Sequence, residues 1–361
     1  MTNFSTKKTT ENIHNFGEYA YLAIDKHFRK VLQYETEVLK DNDPENLHQM
    51  RVSMRRLRSV VTGFAPALIL PRGGREDKIG KIGKILGTLR DLDVLQETLE
   101  TLYYPQLPKG EKKLLKQALM FLKTQRKFAL KNVKKIIKSD SYKKFKKAYF
   151  SWLENPNFKL IANLSIYPIL PDLLLPQLSK FFLHPGWLLG IKIESENIQF
   201  PDKIDAQTVE NILNNEGTIL HDLRKEAKRS RYNMELFTHF YGEGYQKYVV
   251  KIKTIQTILG DMQDCYVLAE FLDGIFDFEL LDKMPTLVKL FQETRYQKWQ
   301  EWVVLQRYFL EVNHNLLEVN DRQKIRDIIQ SASEENTQRL DLIYQKITTE
   351  IPQDHQKETE S

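Results

Sequence analysis

The sequence predicts an all-α protein built from two related halves. Three observations carry that prediction. Apolar residues recur at helical spacing along most of the chain, no run shows the period-two alternation of a half-buried strand, and one stretch is repeated. The repeat is the sharpest of the three. Residues 48–58 read HQMRVSMRRLR and residues 221–231 read HDLRKEAKRSR, both fitting HxxRxxx[RK]RxR. The offset of 173 persists downstream, where Phe64 maps to Phe237, Gly87 to Gly260, Asp91 to Asp264 and Val94-Leu95 to Val267-Leu268. From Leu47 to Leu99 the copies align without a gap, with 17 identities in 53 positions.

The elements follow in order. Ile13, Phe16, Tyr19, Ala20, Ile24, Phe28 and Val31 give residues 11–40 one apolar face. Asp43 then predicts an N-cap and Pro44 a first helical turn, opening a helix that runs to Phe64. Pro71-Arg72-Gly73-Gly74 reads as a turn, 75–101 as a helix and 109–152 as one or two long helices. The second half is expected to repeat the scheme with helices near 208–240, 243–273, 285–318 and 320–347. This organises the chain as a first half at 10–154, a proline-rich connector at 155–205 and a second half at 206–347. The tail, 348–361, is polar and lacks apolar spacing, and is expected to be disordered.

Composition fits a soluble globular protein, with 41% apolar and 28% charged residues in 361. The single cysteine, Cys265, rules out an internal disulfide framework and aligns with Leu92, so it reads as a small core residue. The N-terminus lacks the apolar core of a signal peptide. The most apolar stretch, 165–191, is interrupted by Asp172, Lys180 and several prolines, which excludes a membrane span there. A cytoplasmic location is expected. The net charge of +6 conceals an asymmetry: residues 48–150 hold 25 Lys or Arg against 8 Asp or Glu. A basic segment beside an acidic remainder suggests a polyanionic partner.

The repeated segment places its cations in a pattern. On a helix, His48, Arg51, Arg55 and Arg58 fall within about 80° of one another, opposite Met50, Met54, Leu57, Val61 and Phe64. The second copy gives the same map, with His221, Arg224, Lys228 and Arg231 on the stripe and Leu223, Ala227, Met234 and Phe237 inward. Arg56 and Arg229 sit on the other flank. Like charges at i,i+4 lower helix stability by a few tenths of a kcal/mol per pair, so two such stripes call for a compensating anion. The arginine fork matches phosphate oxygens in particular.

Lysines extend the pattern. Lys112, Lys116, Lys123, Lys127, Lys131, Lys134 and Lys138 lie within about 100° of one helix face, a ladder with steps of about 6 Å suited to a linear polyanion. Lys78, Lys81 and Lys84, with Lys251 in the other half, are candidates to line the same site. Gly87 and Gly260 stand mid-helix, where glycine costs about 1 kcal/mol, and suggest a close helix crossing. Asp91 and Asp264 are read as orienting partners of the arginines. No second carboxylate repeats at metal-site spacing, so no metal is expected. His48 and His221 read either as donors to a phosphate oxygen or as core histidines.

The pattern HxxRxxx[RK]RxR followed by LGxxxD at 86–91 and 259–264 closely resembles the CHAD family, the conserved-histidine α-helical domains. The resemblance covers roughly residues 10–345. It implies two four-helix bundles related by a pseudo-twofold axis, with the basic helices lining a central groove or cavity. It also implies binding of inorganic polyphosphate and targeting to polyphosphate granules, with His48, Arg51, Arg55, Arg58, His221, Arg224, Lys228 and Arg231 as ligand residues. No ExExK motif of a fused CYTH triphosphatase domain is found, so the stand-alone type is implied. HPGWLLG at 184–190 is left unexplained by the motif.

The expected function is therefore non-enzymatic polyphosphate binding, without a cofactor. Nucleic-acid backbone binding is the alternative, weakened because no aromatics are interleaved in the stripes. A hydrolase acting on polyphosphate ranks below both, since clustered carboxylates for magnesium are lacking. If the histidines contact phosphate as imidazolium, affinity should fall between about pH 6 and 8.

Overall fold

A computed structural model describes residues 15–194, 197–201, 203–276, 278–310 and 321–331. The first half comprises α1 (Phe16–Lys40), α2 (Pro44–Gly63), α3 (Glu76–Thr98), α4 (Lys109–Lys138) and α5 (Asp140–Glu154). The Asn15 side chain caps α1 by accepting from Glu18 N at 2.8 Å. The Asp43 carboxylate caps α2 by accepting from Glu45 N at 2.9 Å, with Pro44 in the first turn as the sequence indicates. The region 109–152 forms two helices because Ser139 stops α4 and caps α5. α3 ends in a π-helical turn, Leu99–Tyr103, that the apolar spacing does not announce.

Packing runs α1 on α2, α2 on α3 and α3 on α4, while α5 closes over the turn at Arg72–Gly74. Arg126 of α4 ties this bundle internally. Its guanidinium donates to both Asp41 oxygens at 2.8 Å and to Asp93 Oδ1 at 2.6 Å, joining the end of α1 to α3. These two carboxylates hold the guanidinium pKa above its ordinary value, although burial opposes them.

The connector is more structured than its prolines suggest. It holds α6 (Leu170–Phe182), with Pro171 in its first turn and Pro176 inside it, and an antiparallel hairpin of β1 (Lys192–Glu194) and β2 (Asn197–Gln199). Prolines mask α6 in the sequence, as do leucines on several of its faces. HPGWLLG is the clamp between α6 and the second half. Trp187, 1% exposed, donates Nε1 to Phe181 O at 2.7 Å. Gln306 Nε2 donates to Trp187 O and Leu189 O, each at 2.8 Å. Gly186 has no Cβ because one would stand 2.9 Å from Leu223 Cβ, beside Arg224.

The second half comprises α7 (Ala206–Leu236), α8 (Glu243–Asp273), a short α9 (Leu280–Lys283), α10 (Pro285–Leu310) and α11 (321–331). α6 packs on α7, α7 on α8 and α8 on α10. The expected ends near 318 and 347 and the tail 348–361 lie outside the described residues. No helix of the described residues is long and apolar enough to cross a membrane.

The halves meet in two places. At one end, repeat-related residues face each other: the Phe64 and Phe237 rings lie 5.4 Å apart, and Leu236 Cδ1 would lie 3.2 Å from a Cβ on Gly63. Tyr19 joins them, donating its hydroxyl to Leu236 O at 2.6 Å. At the other end, a separate apolar cluster joins Leu99, Tyr103, Leu115 and Leu119 to Cys265, Leu268, Leu287 and Phe291. Cys265 is buried there, its thiol 3.6 Å from the Tyr103 hydroxyl and its pKa pushed up by burial. Buried Glu111 of α4 accepts from Thr286 N and Leu287 N, each at 3.0 Å, and so caps α10 from the opposite half.

Candidate functional site

Between these two contacts the basic stripes of α2 and α7 come together. Arg55 lies over the Tyr232 ring at 4.4 Å, and Arg231 lies over the same ring at 4.4 Å. Tyr232 is buried, so it holds two guanidiniums from two halves in fixed positions. The apolar sides of both helices are packed as the spacing requires: Met50, Met54, Leu57, Leu223, Ala227 and Met234 are buried.

The arginines cross onto the neighbouring helices over glycine. A Cβ at Gly87 would meet Arg51 Nε at 3.4 Å, and one at Gly260 would meet Arg224 Nη2 at 2.9 Å. At Gly80 the neighbour is Arg58 Cζ, at 3.5 Å. This corrects the reading of Gly87 and Gly260 as points of close helix crossing. The missing side chain makes room for a guanidinium lying flat on the backbone of α3 or α8, not for an opposing backbone. Carboxylates one turn further on complete the seats. Arg51 Nη2 is 3.3 Å from Asp91 Oδ1, and Arg224 Nη1 is 3.7 Å from Asp264 Oδ1.

Electrostatic strain marks the centre of the cluster. Burial, then the charges of Arg224, Arg55 and Arg51, lower the Lys228 ammonium to about 8. Burial lowers the Arg55 pKa, with Arg51 and Arg231 adding to it. Neither Arg55 nor Lys228 ion-pairs with a described residue. Burial first, then Asp261 and Asp91, raises the Asp264 carboxyl against the pull of Arg224. Buried nitrogens without a hydrogen-bond partner recur along the stripes, at His48 Nδ1, Arg55 Nε, His221 Nδ1 and Arg231 Nε.

Both histidines are pushed below the ordinary imidazole value. For His48 the causes are burial and then Arg90; for His221 they are burial and then Lys225 and Arg224. The expected pH 6–8 window is therefore corrected. The imidazoles of the free protein take up protons only at lower pH, and the group that titrates near 8 is Lys228. An anion on Lys228 raises its pKa, so binding is proton-neutral well below pH 8 and requires proton uptake above it. Anion affinity accordingly falls as pH rises through and beyond about 8. Lys228→Arg, charged throughout that range, flattens the profile. Titration calorimetry in buffers of different ionisation enthalpy measures the uptake directly. A wild-type profile as flat as that of the arginine variant would remove Lys228 from the site.

Other candidate residues are distributed less evenly. Arg58 pairs with Glu76, and Arg231 Nε is 3.6 Å from Glu235 Oε1. Arg56 is exposed on its own flank, and Arg229 pairs with Glu226. Lys78 is 2.9 Å from Asp77, while Lys81 and Lys84 are exposed on α3. Lys251 is drawn away: its ammonium is 3.0 Å from Asp321 and contacts Tyr308, so it serves the packing of α11 on α8 and is not a free cation. The lysine ladder lies on α4, which packs on α3, one helix removed from the stripe of α2. There Lys123 is 3.6 Å from Glu100, Lys127 and Lys131 are exposed, and Lys134 is partly so. Sequence reasoning missed Lys135, which lines a crevice between α4 and α3 with Asn132, Ser139 and Thr88. It also missed Tyr232, which has no counterpart because the repeat puts Ser59 there.

Comparison with known proteins bears on the family and the fold. A CHAD domain family model matches residues 22–273. The CHAD domain from the plant Ricinus communis is similar in fold, with a TM-score of 0.51, 18% identity, and coverage of 91% of this chain and 96% of that one. PptA from Streptomyces chartreusis is similar with a TM-score of 0.51, 13% identity, and coverage of 81% and 97%. No curated protein matches. The helical fold, the two HxxR segments and the family model together assign this chain to the CHAD domain family.

Proposed function

We propose that this protein binds inorganic polyphosphate, without chemical conversion, in a cleft between α2 and α7. The observation that carries the reading is the gathering of Arg51, Arg55, Arg224 and Lys228 into one site, where Arg55 and Lys228 are lowered in proton affinity and neither ion-pairs with a described residue. Such a cluster is destabilising by itself and is relieved by a dense anion. Lys228 and Asp264 are both exposed to water, yet burial is the largest influence on each. Surface that water reaches while protein surrounds it is concave, which supports a cleft. Contacts between Phe64 and Phe237 at one end, and between Glu111 and α10 at the other, leave the basic stripes as its walls. The 173-residue offset, with repeat-related residues in contact, supports a pseudo-twofold relation between the halves.

Asp91 and Asp264 are engaged by Arg51 and Arg224, which favours holding the anion over magnesium-assisted cleavage. Polyphosphate granules in the cytoplasm are the corresponding destination. The test is equilibrium binding of polyphosphate with an equal-phosphate excess of duplex DNA as competitor. Polyphosphate is expected to stay bound. Displacement by DNA would show a generic basic surface and overturn the assignment.

A further inference from the structure

The cleft has two unlike walls. On α3, the face beside the arginine seats carries Lys81, Lys84, Thr88 and Asp91. The repeat-related positions on α8 are Thr254, Thr257, Asp261 and Asp264. Where the first half offers two lysines and a hydroxyl, the second offers two hydroxyls and an acid. Lys81 and Lys84 are exposed, and neither ion-pairs with a described residue. Lys253, which is exposed on α8, stands at the position of Gly80, on the side that meets α7.

The next helix out repeats the contrast. Lys135 of α4 lines the crevice beside Thr88 and likewise has no ion-pair partner among the described residues. Where α4 carries Lys123, Lys127, Lys131, Lys135 and Lys138 along its length, the lysines of α10 are Lys289 and Lys298. The α10 lysine that does approach α8, Lys298, is taken by Asp261 at 3.4 Å and Glu301 at 3.0 Å. A path leading out of the cleft over α3 therefore meets Lys84, Lys81 and Lys135, none of which ion-pairs with a described residue. The corresponding path over α8, once past Lys253 on the α7 side, meets hydroxyls, carboxylates and one neutralised lysine.

We infer that a linear polyphosphate longer than the cleft leaves it in one direction only, over Lys84, Lys81 and Lys135 of the first half. This rests on the proposed polyphosphate reading of the cleft and adds a second subsite, one that responds to chain length. Short anions fill the central cluster alone, while long ones also engage the track.

The test uses the full chain with Lys81→Gln, Lys84→Gln and Lys135→Gln combined, and a control with Lys247→Gln, Lys283→Gln and Lys289→Gln in the second half. All six lysines are exposed, so both variants are expected to fold. Tripolyphosphate and a polymer of about 100 phosphates are the two probes. Loss of three contacts should weaken the polymer about tenfold or more and reduce its log-affinity against log-salt slope by about 2. Tripolyphosphate affinity should stay within about twofold, and the control should retain the wild-type slope. Equal losses in track and control variants, or an unchanged slope in the track variant, would overturn the directional exit while tripolyphosphate binding still upholds the cleft. If the wild type binds neither probe, the cleft reading fails and the track fails with it.

Discussion

Replacing Arg55 and Lys228 together with methionine lowers polyphosphate affinity by at least about 100-fold and raises the thermal midpoint of the ligand-free protein. The first effect follows from losing two charge-assisted contacts, each worth about 1.5–3 kcal/mol, where about 1.4 kcal/mol is a factor of ten. The second follows from the crowd around them. Both are lowered in pKa by burial and by neighbouring cations, and neither ion-pairs with a described residue. Methionine keeps the apolar stem, and at position 55 it keeps a contact for the Tyr232 ring. Two crowded positive charges, one half-buried and one at the water-exposed rim of the cluster, are removed and nothing is left unpaired, so stability rises modestly. Scanning calorimetry with and without polyphosphate reads both effects. A variant that lost stability along with binding would show that these cations hold the fold together.

Gly190→Ala destabilises the protein by about 2–5 kcal/mol, the sum of a left-handed backbone penalty and a core overlap. Gly190 has φ of +75°, and a Cβ there would stand 2.5 Å from Trp299 Cζ2. Trp299 is 2% exposed and cannot turn away, because the segment around it is fixed by Gln306 and Trp187. Gly110→Ala is the control, since no atom lies within 4 Å of its Cβ position. Urea unfolding should separate the two variants clearly. Equal midpoints would mean that the HPGWLLG turn yields to substitution and does not clamp α7.

The stripes, the Asp43 N-cap and the repeat were legible because each depends on local spacing. The 3.6-residue period places His48, Arg51 and Arg55 together whatever the helix packs against, and Asp43 before Pro44 marks a helix start by chemistry alone. What was not legible depends on the neighbour. A mid-helix glycine states that space is needed and is silent on who fills it, so Arg51 on Gly87 and Arg224 on Gly260 emerge only in three dimensions. Lys251 matches Lys78 in sequence, but its fate was settled by Asp321, seventy residues away. α6 escaped notice because a helix covered on several faces shows no single apolar stripe, and its two prolines read as a linker. The pairing of Asp91 with Arg51 needed only a chemical argument, since an acid set among cations has few other uses.

The carboxylate of Glu111 bears on how a ligand gets in. It sits on α4, and the amides it satisfies begin α10, so the start of a helix in one half is finished by a residue of the other. Parting the halves at that seam would strand an anion and two amide protons in an apolar cluster of Leu115, Leu287 and Phe291. The molecule is thus sewn shut at its back. On the proposed cleft reading, a polyanion reaches the arginines sideways, with no need for the halves to swing apart.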